Sequence, residues 1–338
     1  MATIIRLNFS AYLDPHYPHL EQTRLGQLGN YLYWPQARPG QKAAALADEL
    51  IVLTNSNTSA QLLAEIPPDQ IKLLIHPNSG YDNFAPEYVA QAKFPIILGH
   101  QLRALAVSEF ILAAIFTAYT PLPWRQAWDP QRCFPGRQLI GAQHFLLSGF
   151  GHIGQRVAQH LTRLGATVEA FDPFADAALR AAAQTDPHLR PASWDQIPWQ
   201  QLTGIILAAS LNPTSWHQIN SAVVGKLGPQ VILINAARGP LVDPDALKLF
   251  LQGEQHQAFI DTWENEPHPN FDWRHPRLHA SSHVAGVYPS LGQRMLDYMA
   301  QVITDEQQLA PDDFRQKYQA EWLNLRLRHN EQGAAYLI

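Results

Sequence analysis

Short apolar runs alternate with amphipathic stretches along the first hundred residues. Residues 3–7 and 30–34 read as strands. Residues 43–49 read as a helix feeding a strand at 50–53. A helix at 60–66 precedes a strand at 71–75, and a helix at 85–91 precedes one at 94–98. Strands alternating with helices at this spacing imply a parallel sheet with helices on both faces. A long apolar helix is expected at 104–118, then a Pro- and Trp-rich connection from 120 to 137. The alternation restarts at Phe145. It continues through a helix at 155–161, strands at 167–171 and 202–208, and a helix at 221–227. A strand at 231–234, a helix at 244–252 and a strand at 258–260 follow. A second parallel sheet therefore runs to about residue 284, and residues 291–303 form an amphipathic helix. The tail, 304–338, is polar and ends in an apolar stretch to which the pattern assigns no role. The fold class is α/β, with two doubly wound parallel-sheet domains and an expected cleft between them. Ligands of such sheets bind beyond the carboxyl ends of the strands.

One of those ends carries a recognisable turn. The run from Phe145 closes in Ser148-Gly149-Phe150-Gly151-His152-Ile153-Gly154, a G-x-G-x-x-G between strand and helix. Gly149 permits the turn, Gly151 lets backbone approach a pyrophosphate, and Gly154 lets helix and strand pack closely. The anion then rests on the helix N-terminus at His152 and Ile153, where unpaired N–H groups and the helix dipole favour it. The next strand ends in Asp172, 18 residues after Gly154, where a carboxylate that binds an adenosine ribose is expected. The two features together point to a dinucleotide, and Asp172 without a following Arg points to NAD rather than NADP.

Composition narrows the class. The chain has 338 residues, 46% of them apolar and 16% charged, enough for two domains with large cores. A net charge of −5 without a basic block gives no reason to invoke nucleic acid or an anionic membrane. The N-terminus does not read as a signal peptide, and Glu109 interrupts the 104–118 stretch, which reads as a buried helix rather than a membrane span. The single cysteine, Cys133, allows no internal disulfide and suits a reducing, cytoplasmic setting. The histidines show no metal-ligand spacing, so no metal is expected.

Three further segments follow strands. They are Asn235-Ala236-Ala237-Arg238-Gly239, Asp261-Thr262-Trp263-Glu264-Asn265-Glu266-Pro267 and Ser281-Ser282-His283-Val284-Ala285-Gly286. They offer an arginine, a carboxylate and a histidine. Arg can clamp a carboxylate bidentately and polarise a neighbouring oxygen. His can exchange a proton near neutral pH, and a carboxylate beside it holds the ring and stabilises the imidazolium. Hydride exchange between a nicotinamide and a 2-hydroxy or 2-oxo acid needs those types.

These segments, with Asn78-Ser79-Gly80-Tyr81-Asp82-Asn83 and Ala106-Val107-Ser108-Glu109, occur over residues 50–300. Their order and spacing resemble the D-isomer-specific 2-hydroxyacid dehydrogenase family, nearest its erythronate-4-phosphate and phosphoglycerate dehydrogenase-like branch. The resemblance implies a flavodoxin-like substrate domain (1–102 plus 287–338), a Rossmann NAD-binding domain (103–286) and a homodimer. It implies that His283 is the proton donor and acceptor, that Glu266 supports it, and that Arg238 binds substrate. It assigns NAD to Gly149, Gly151, His152, Ile153, Gly154, Asp172, Ala236, Ala237, Asp261 and Gly286, with Asp261 on the carboxamide. The backbone at Asn78, Ser79 and Gly80 would hold the substrate carboxylate.

Five sites depart from the family pattern. Ala208-Ala209-Ser210 stands where His-x-Pro is usual, and Ser282 where a proline often precedes the histidine. Leu53 and Val287 replace an arginine and a tyrosine, which points to an unphosphorylated acid. Arg103 stands where Asn is common, and either adds positive charge to the expected cleft or starts a helix in solvent. His76 and His100 lie near the same place as candidates to touch substrate. The alternative function is a non-catalytic NAD(H)-sensing protein on this fold. Glu266 disfavours a formate dehydrogenase, since formate enzymes of this superfamily pair the histidine with Gln. A methyltransferase leaves Arg238, Glu266 and His283 unexplained.

Overall fold

The computed structural model describes residues 2–10, 13–122, 124, 127, 128, 130, 132 and 136–338. Cys133 and part of the Pro- and Trp-rich connection lie outside the described residues. The chain divides into two compact units, Met1–Arg103 with Val287–Ile338, and Ala104–Gly286.

The first unit is built on β1 (Thr3–Arg6), β2 (Asn30–Tyr33), β3 (Leu50–Leu53), β4 (Ile71–His76) and β5 (Ile96–Leu98). The order is β2-β1-β3-β4-β5 and every pairing is parallel. This is the flavodoxin-like order. Side chains alternate between faces along a strand. Ile5, Leu50, Val52 and Leu74 join one core cluster, and Ile4, Ile51, Leu53 and Leu73 the other. The connections hold α1 (Tyr17–Leu25), α2 (Pro39–Ala45), α3 (Ala60–Ala64) and α4 (Pro86–Gln91). Sequence periodicity misses α1 because its inward face is Tyr17, Glu21 and Leu25. The middle residue of that stripe is charged: Glu21 is fully buried and accepts from Arg6 Nε at 2.7 Å. A buried carboxylate persists only when paired in this way.

α5 (His100–Tyr119) carries the chain into the second unit. It is long and apolar enough to cross a membrane. Its Ile111, Ile115 and Tyr119 are instead enclosed in the second unit's core. There β6 (His144–Ser148), α6 (His152–Arg163), β7 (Thr167–Phe171), α7 (Asp176–Ala183), β8 (Leu189–Pro191) and β9 (Gly204–Leu207) are followed by α8 (Ser221–Val224), β10 (Ile232–Asn235), α9 (Pro244–Phe250), β11 (Gln257–Ile260) and β12 (Leu278–Ala280). The sheet order is β12-β11-β10-β9-β6-β7-β8, parallel throughout. Outward from β6 this is the Rossmann order with one added strand, and the order reverses between β6 and β9. Core clusters cover both faces, one including Val157 and Leu161 of α6 and the other Leu247 and Phe250 of α9.

The tail is not a loose appendage. α10 (Leu291–Gln308), α11 (Pro311–Tyr318) and a hairpin of β13 (Leu327–His329) and β14 (Ala335–Leu337) complete the first unit. Trp322 bridges antiparallel to Ile97, and Asn324 Oδ1 accepts from Ile96 N at 3.0 Å. Phe314, Tyr318, Leu323 and Leu337 enter the two core clusters. Those residues are spaced too widely for a period to show.

Candidate active site

The glycine turn has the geometry that its sequence requires. Gly149 has φ +97°, and a Cβ there would lie 2.5 Å from Ala209 N. A Cβ on Gly154 would lie 2.0 Å from Gly149 O. A Cβ on Gly151 would meet nothing within 4 Å. Two glycines are thus required by packing, and the third borders open space. Gly151 is also the N-cap of α6, with no side-chain cap and no acidic residue in the first turn. Gly151, with its open side, leads into the first N–H groups of α6 at His152 and Ile153, a helix N-terminus of the kind that can hold an anion. Asp172 anchors the turn. Its Oδ2 accepts from Phe150 N at 2.7 Å and its Oδ1 from Phe174 N at 2.9 Å.

Arg238 follows β10. The fully buried Asn235 shapes its loop, donating from Nδ2 to Arg238 O at 2.8 Å and accepting from Ala237 N at 3.2 Å. The Arg238 guanidinium donates from Nη1 to Ala237 O at 2.7 Å. Gly239 admits the next loop: a Cβ there would sit 1.9 Å from the Trp263 carbonyl carbon. Only glycine lets the Arg238 turn press against the segment that carries Glu266.

Glu266 is clamped by its own loop. Its Oε1 accepts from Trp263 N at 2.7 Å, and its Oε2 lies 2.8 Å from His283 Nδ1. The peptide bond to Pro267 is cis. Burial works to raise the Glu266 carboxyl. The hydrogen bonds from His283 and the Trp263 N–H outweigh it, helped by the charges of His283 and Arg238, and hold the carboxyl below its usual range.

His283 stands at φ +55°, a left-handed conformation uncommon outside glycine. Asp261 holds it there. The His283 N–H donates to Asp261 O at 2.7 Å. The Asp261 carboxylate accepts from Ser281 Oγ at 2.6 Å, Val284 N at 2.8 Å and Ala285 N at 2.9 Å. Trp263 Nε1 adds a bond to Ser281 O at 2.9 Å. Asp261 is expected from sequence to meet a nicotinamide carboxamide, but the residue is 0% exposed and its oxygens serve the histidine loop. The His283 side chain itself is 52% exposed. Arg238, Glu266 and His283 are therefore brought together on the loops after β10, β11 and β12. Asn235, Ser281 and Trp263, which sequence reading assigns no role, hold these loops: Asn235 and Trp263 by bonds to backbone, Ser281 by its bond to the Asp261 carboxylate.

In the first unit, β4 ends at His76 and the chain turns through Asn78, Ser79 and Gly80. Arg103 Nη2 donates to Asn78 Oδ1 at 3.2 Å, and Asn78 Nδ2 donates to Ser56 Oγ at 2.7 Å. Arg103 is half-buried and tied to this loop, so it is not a solvated helix-start residue. His76 is fully enclosed, with both ring nitrogens engaged by Thr54 Oγ1 and Gly80 O. Leu53 is likewise enclosed, so its lack of charge says nothing about what a substrate carries.

Residues 118–285 match the family described as D-isomer specific 2-hydroxyacid dehydrogenase, NAD binding domain. The chain is 26% identical over 267 residues to an erythronate-4-phosphate dehydrogenase of Psychrobacter arcticus, covering 70% of this chain and 67% of that one. It is 27% identical over 236 residues to 4-methyl-2-oxopentanoate reductase A of Aspergillus oryzae, covering 65% of this chain and 69% of that one. Against three erythronate-4-phosphate dehydrogenases that it matches, the chain spans 63–67% of their length. Its fold is similar to that of the D-lactate dehydrogenase from Aquifex aeolicus solved with NAD and lactic acid. The TM-score is 0.71 at 15% identity, over 95% of this chain and 98% of that one. The chain belongs to the D-isomer-specific 2-hydroxyacid dehydrogenase family, and its second unit carries that family's NAD-binding domain.

Proposed function

We propose that this protein is an NAD-dependent oxidoreductase that exchanges a hydride between nicotinamide and a small D-2-hydroxy or 2-oxo acid. The contact that carries this reading is the 2.8 Å approach of His283 Nδ1 to Glu266 Oε2. A carboxylate only accepts, so Nδ1 carries a proton and Nε2 is the atom left to gain or lose one. In reduction the imidazolium donates its Nε2 proton to the substrate's carbonyl oxygen, and the neutral ring keeps its Nδ1 proton on Glu266. In oxidation Nε2 takes the hydroxyl proton back. Bound nicotinamide supplies or accepts the hydride. Arg238 binds the substrate's carboxylate and polarises the reacting oxygen, and the N–H groups at Ser79 and Gly80 hold the carboxylate. Gly149 to Gly154 and Asp172 hold the dinucleotide, with the backbone at Ala236, Ala237 and Gly286 beside it. The protein works as a cytoplasmic homodimer by likeness to its family. Its substrate is an unphosphorylated acid, supported by Val287, which is 37% exposed and brings no polar group.

A panel of 2-oxo acids incubated with NADH, followed by loss of reduced-nicotinamide absorbance, tests the reading. Turnover of at least one acid is expected. NADH binding without turnover of any acid would favour an NAD(H)-sensing protein.

A further inference from the structure

His76 ends β4 and is 0% exposed. Its Nε2 lies 2.7 Å from Gly80 O and its Nδ1 2.8 Å from Thr54 Oγ1. A carbonyl only accepts, so Nε2 carries the proton. In a neutral ring Nδ1 then accepts, and the Thr54 hydroxyl donates to it. Burial pushes the ring's pKa down to about 4, so this arrangement is the one present at neutral pH. Phe84 meets the ring edge-on, 5.1 Å between centroids at 76°. The backbone of the same residue closes the other end of the turn: His76 O accepts from Asn78 N at 2.7 Å and from Gly99 N at 2.9 Å.

The turn from Pro77 to Gly80 is therefore tied to one residue twice, by backbone at its start and by side chain at its end. The four preceding positions of β4 that are buried or half-sheltered follow an apolar strand pattern, and an aliphatic side chain would complete it without desolvating a polar ring. An imidazole with both nitrogens satisfied offers something that an aliphatic side chain lacks, a fixed position for Gly80.

We propose that His76 is a positioning residue that sets the spacing of the Ser79 and Gly80 N–H groups for a substrate carboxylate. The inference rests on the reading above that those groups hold that carboxylate. His76 makes no contact with substrate; it acts through the Gly80 carbonyl, and Thr54 acts through His76. Groups held to a fraction of an ångström by a supporting shell lose binding when that shell is loosened.

The test compares His76→Leu, His76→Gln and Thr54→Val with the parent. The substrates are the best 2-oxo acid found in the panel and the corresponding 2-oxo amide, which lacks the carboxylate. His76→Leu should raise KM for the acid roughly 10–100-fold with kcat changed much less. NADH affinity and KM for the amide should stay near the parent's. His76→Gln keeps a donor for Gly80 and should recover most of the loss. Thr54→Val should shift KM in the same direction by a smaller factor, and it decides the matter if His76→Leu does not fold. An unchanged KM for the acid in folded variants, or an equal loss for acid and amide, would overturn the proposal and leave the dehydrogenase reading standing. A parent that turns over no acid would remove that reading, and this inference with it.

Discussion

His283 is exposed enough to reach a ligand, yet its backbone conformation is one that few histidines adopt. The strain is held by Asp261, which binds the loop through three N–H or O–H donors and through its own carbonyl. Strained residues persist where their surroundings over-determine them. The family motifs made Arg238, Glu266 and His283 legible, because those residue types can perform the proposed chemistry. Asn235, Ser281 and Trp263 were not legible, because they act by hydrogen bonds to loop backbone or to the Asp261 carboxylate, which any polar side chain in a loop can make. His76 is only a candidate to touch substrate in sequence, because a sequence does not show that burial encloses the ring and both nitrogens are already used.

Two predictions belong at this scale. The Glu266 carboxyl is held below its usual value, so its pairing with His283 is present above the ordinary carboxylate range. The pairing is lost only as pH falls through that lowered value. Reduction, which needs the imidazolium, should therefore persist on the acid side to below pH 4.5, the ordinary carboxyl value, while the protein stays folded. Glu266→Gln keeps the shape and removes the charge that favours the imidazolium. Its kcat for reduction should fall below the parent's while NADH still binds. A kcat equal to the parent's would remove Glu266 from proton transfer. The second concerns cofactor choice. Asp172 sits at the end of β7 beside the glycine turn, and its carboxylate would repel a 2′-phosphate. kcat/KM for NADPH should be lower than for NADH by about tenfold or more; equal values would show that the ribose lies elsewhere.

At the scale of elements, most strands and helices sat near where the apolar pattern placed them. The exceptions have identifiable causes. α1 hides behind the buried Arg6–Glu21 pair. β8 and β12 are three residues each, too short for a period to show. α5 starts at His100, four residues before the apolar run, so its first turn includes Arg103. That turn faces the loop of Asn78 through the Arg103–Asn78 bond. Arg103 is thus a cation tied to this loop, whereas Val287 brings no charge. Unphosphorylated acids should be turned over better than 4-phosphoerythronate or 3-phosphoglycerate. Efficient use of a phosphorylated acid that collapses in Arg103→Ala would reverse this and make Arg103 the phosphate ligand.

At the scale of the molecule, the two sheet orders follow from chain alternation, and so could be anticipated as a class before any strand was placed. The tail could not. Its buried residues are few and far apart, and their partners are spread over the two core clusters of the first unit. Leu323 is 0% exposed and belongs to the core cluster that also takes in Leu98 of β5. Leu323→Ala should cost about 2–5 kcal/mol and lower the thermal midpoint by several degrees. An unchanged midpoint would mean that the tail adds nothing to the first unit. The proposed dehydrogenase mechanism depends on one proton. The direct measurement is reduction of the best 2-oxo acid by the parent and by His283→Ala, with NADH binding followed by fluorescence in both. kcat should fall roughly 10²–10⁴-fold in the variant, the usual contribution of a general acid, while NADH should still bind through the glycine turn. A His283→Ala protein as active as the parent would contradict the mechanism.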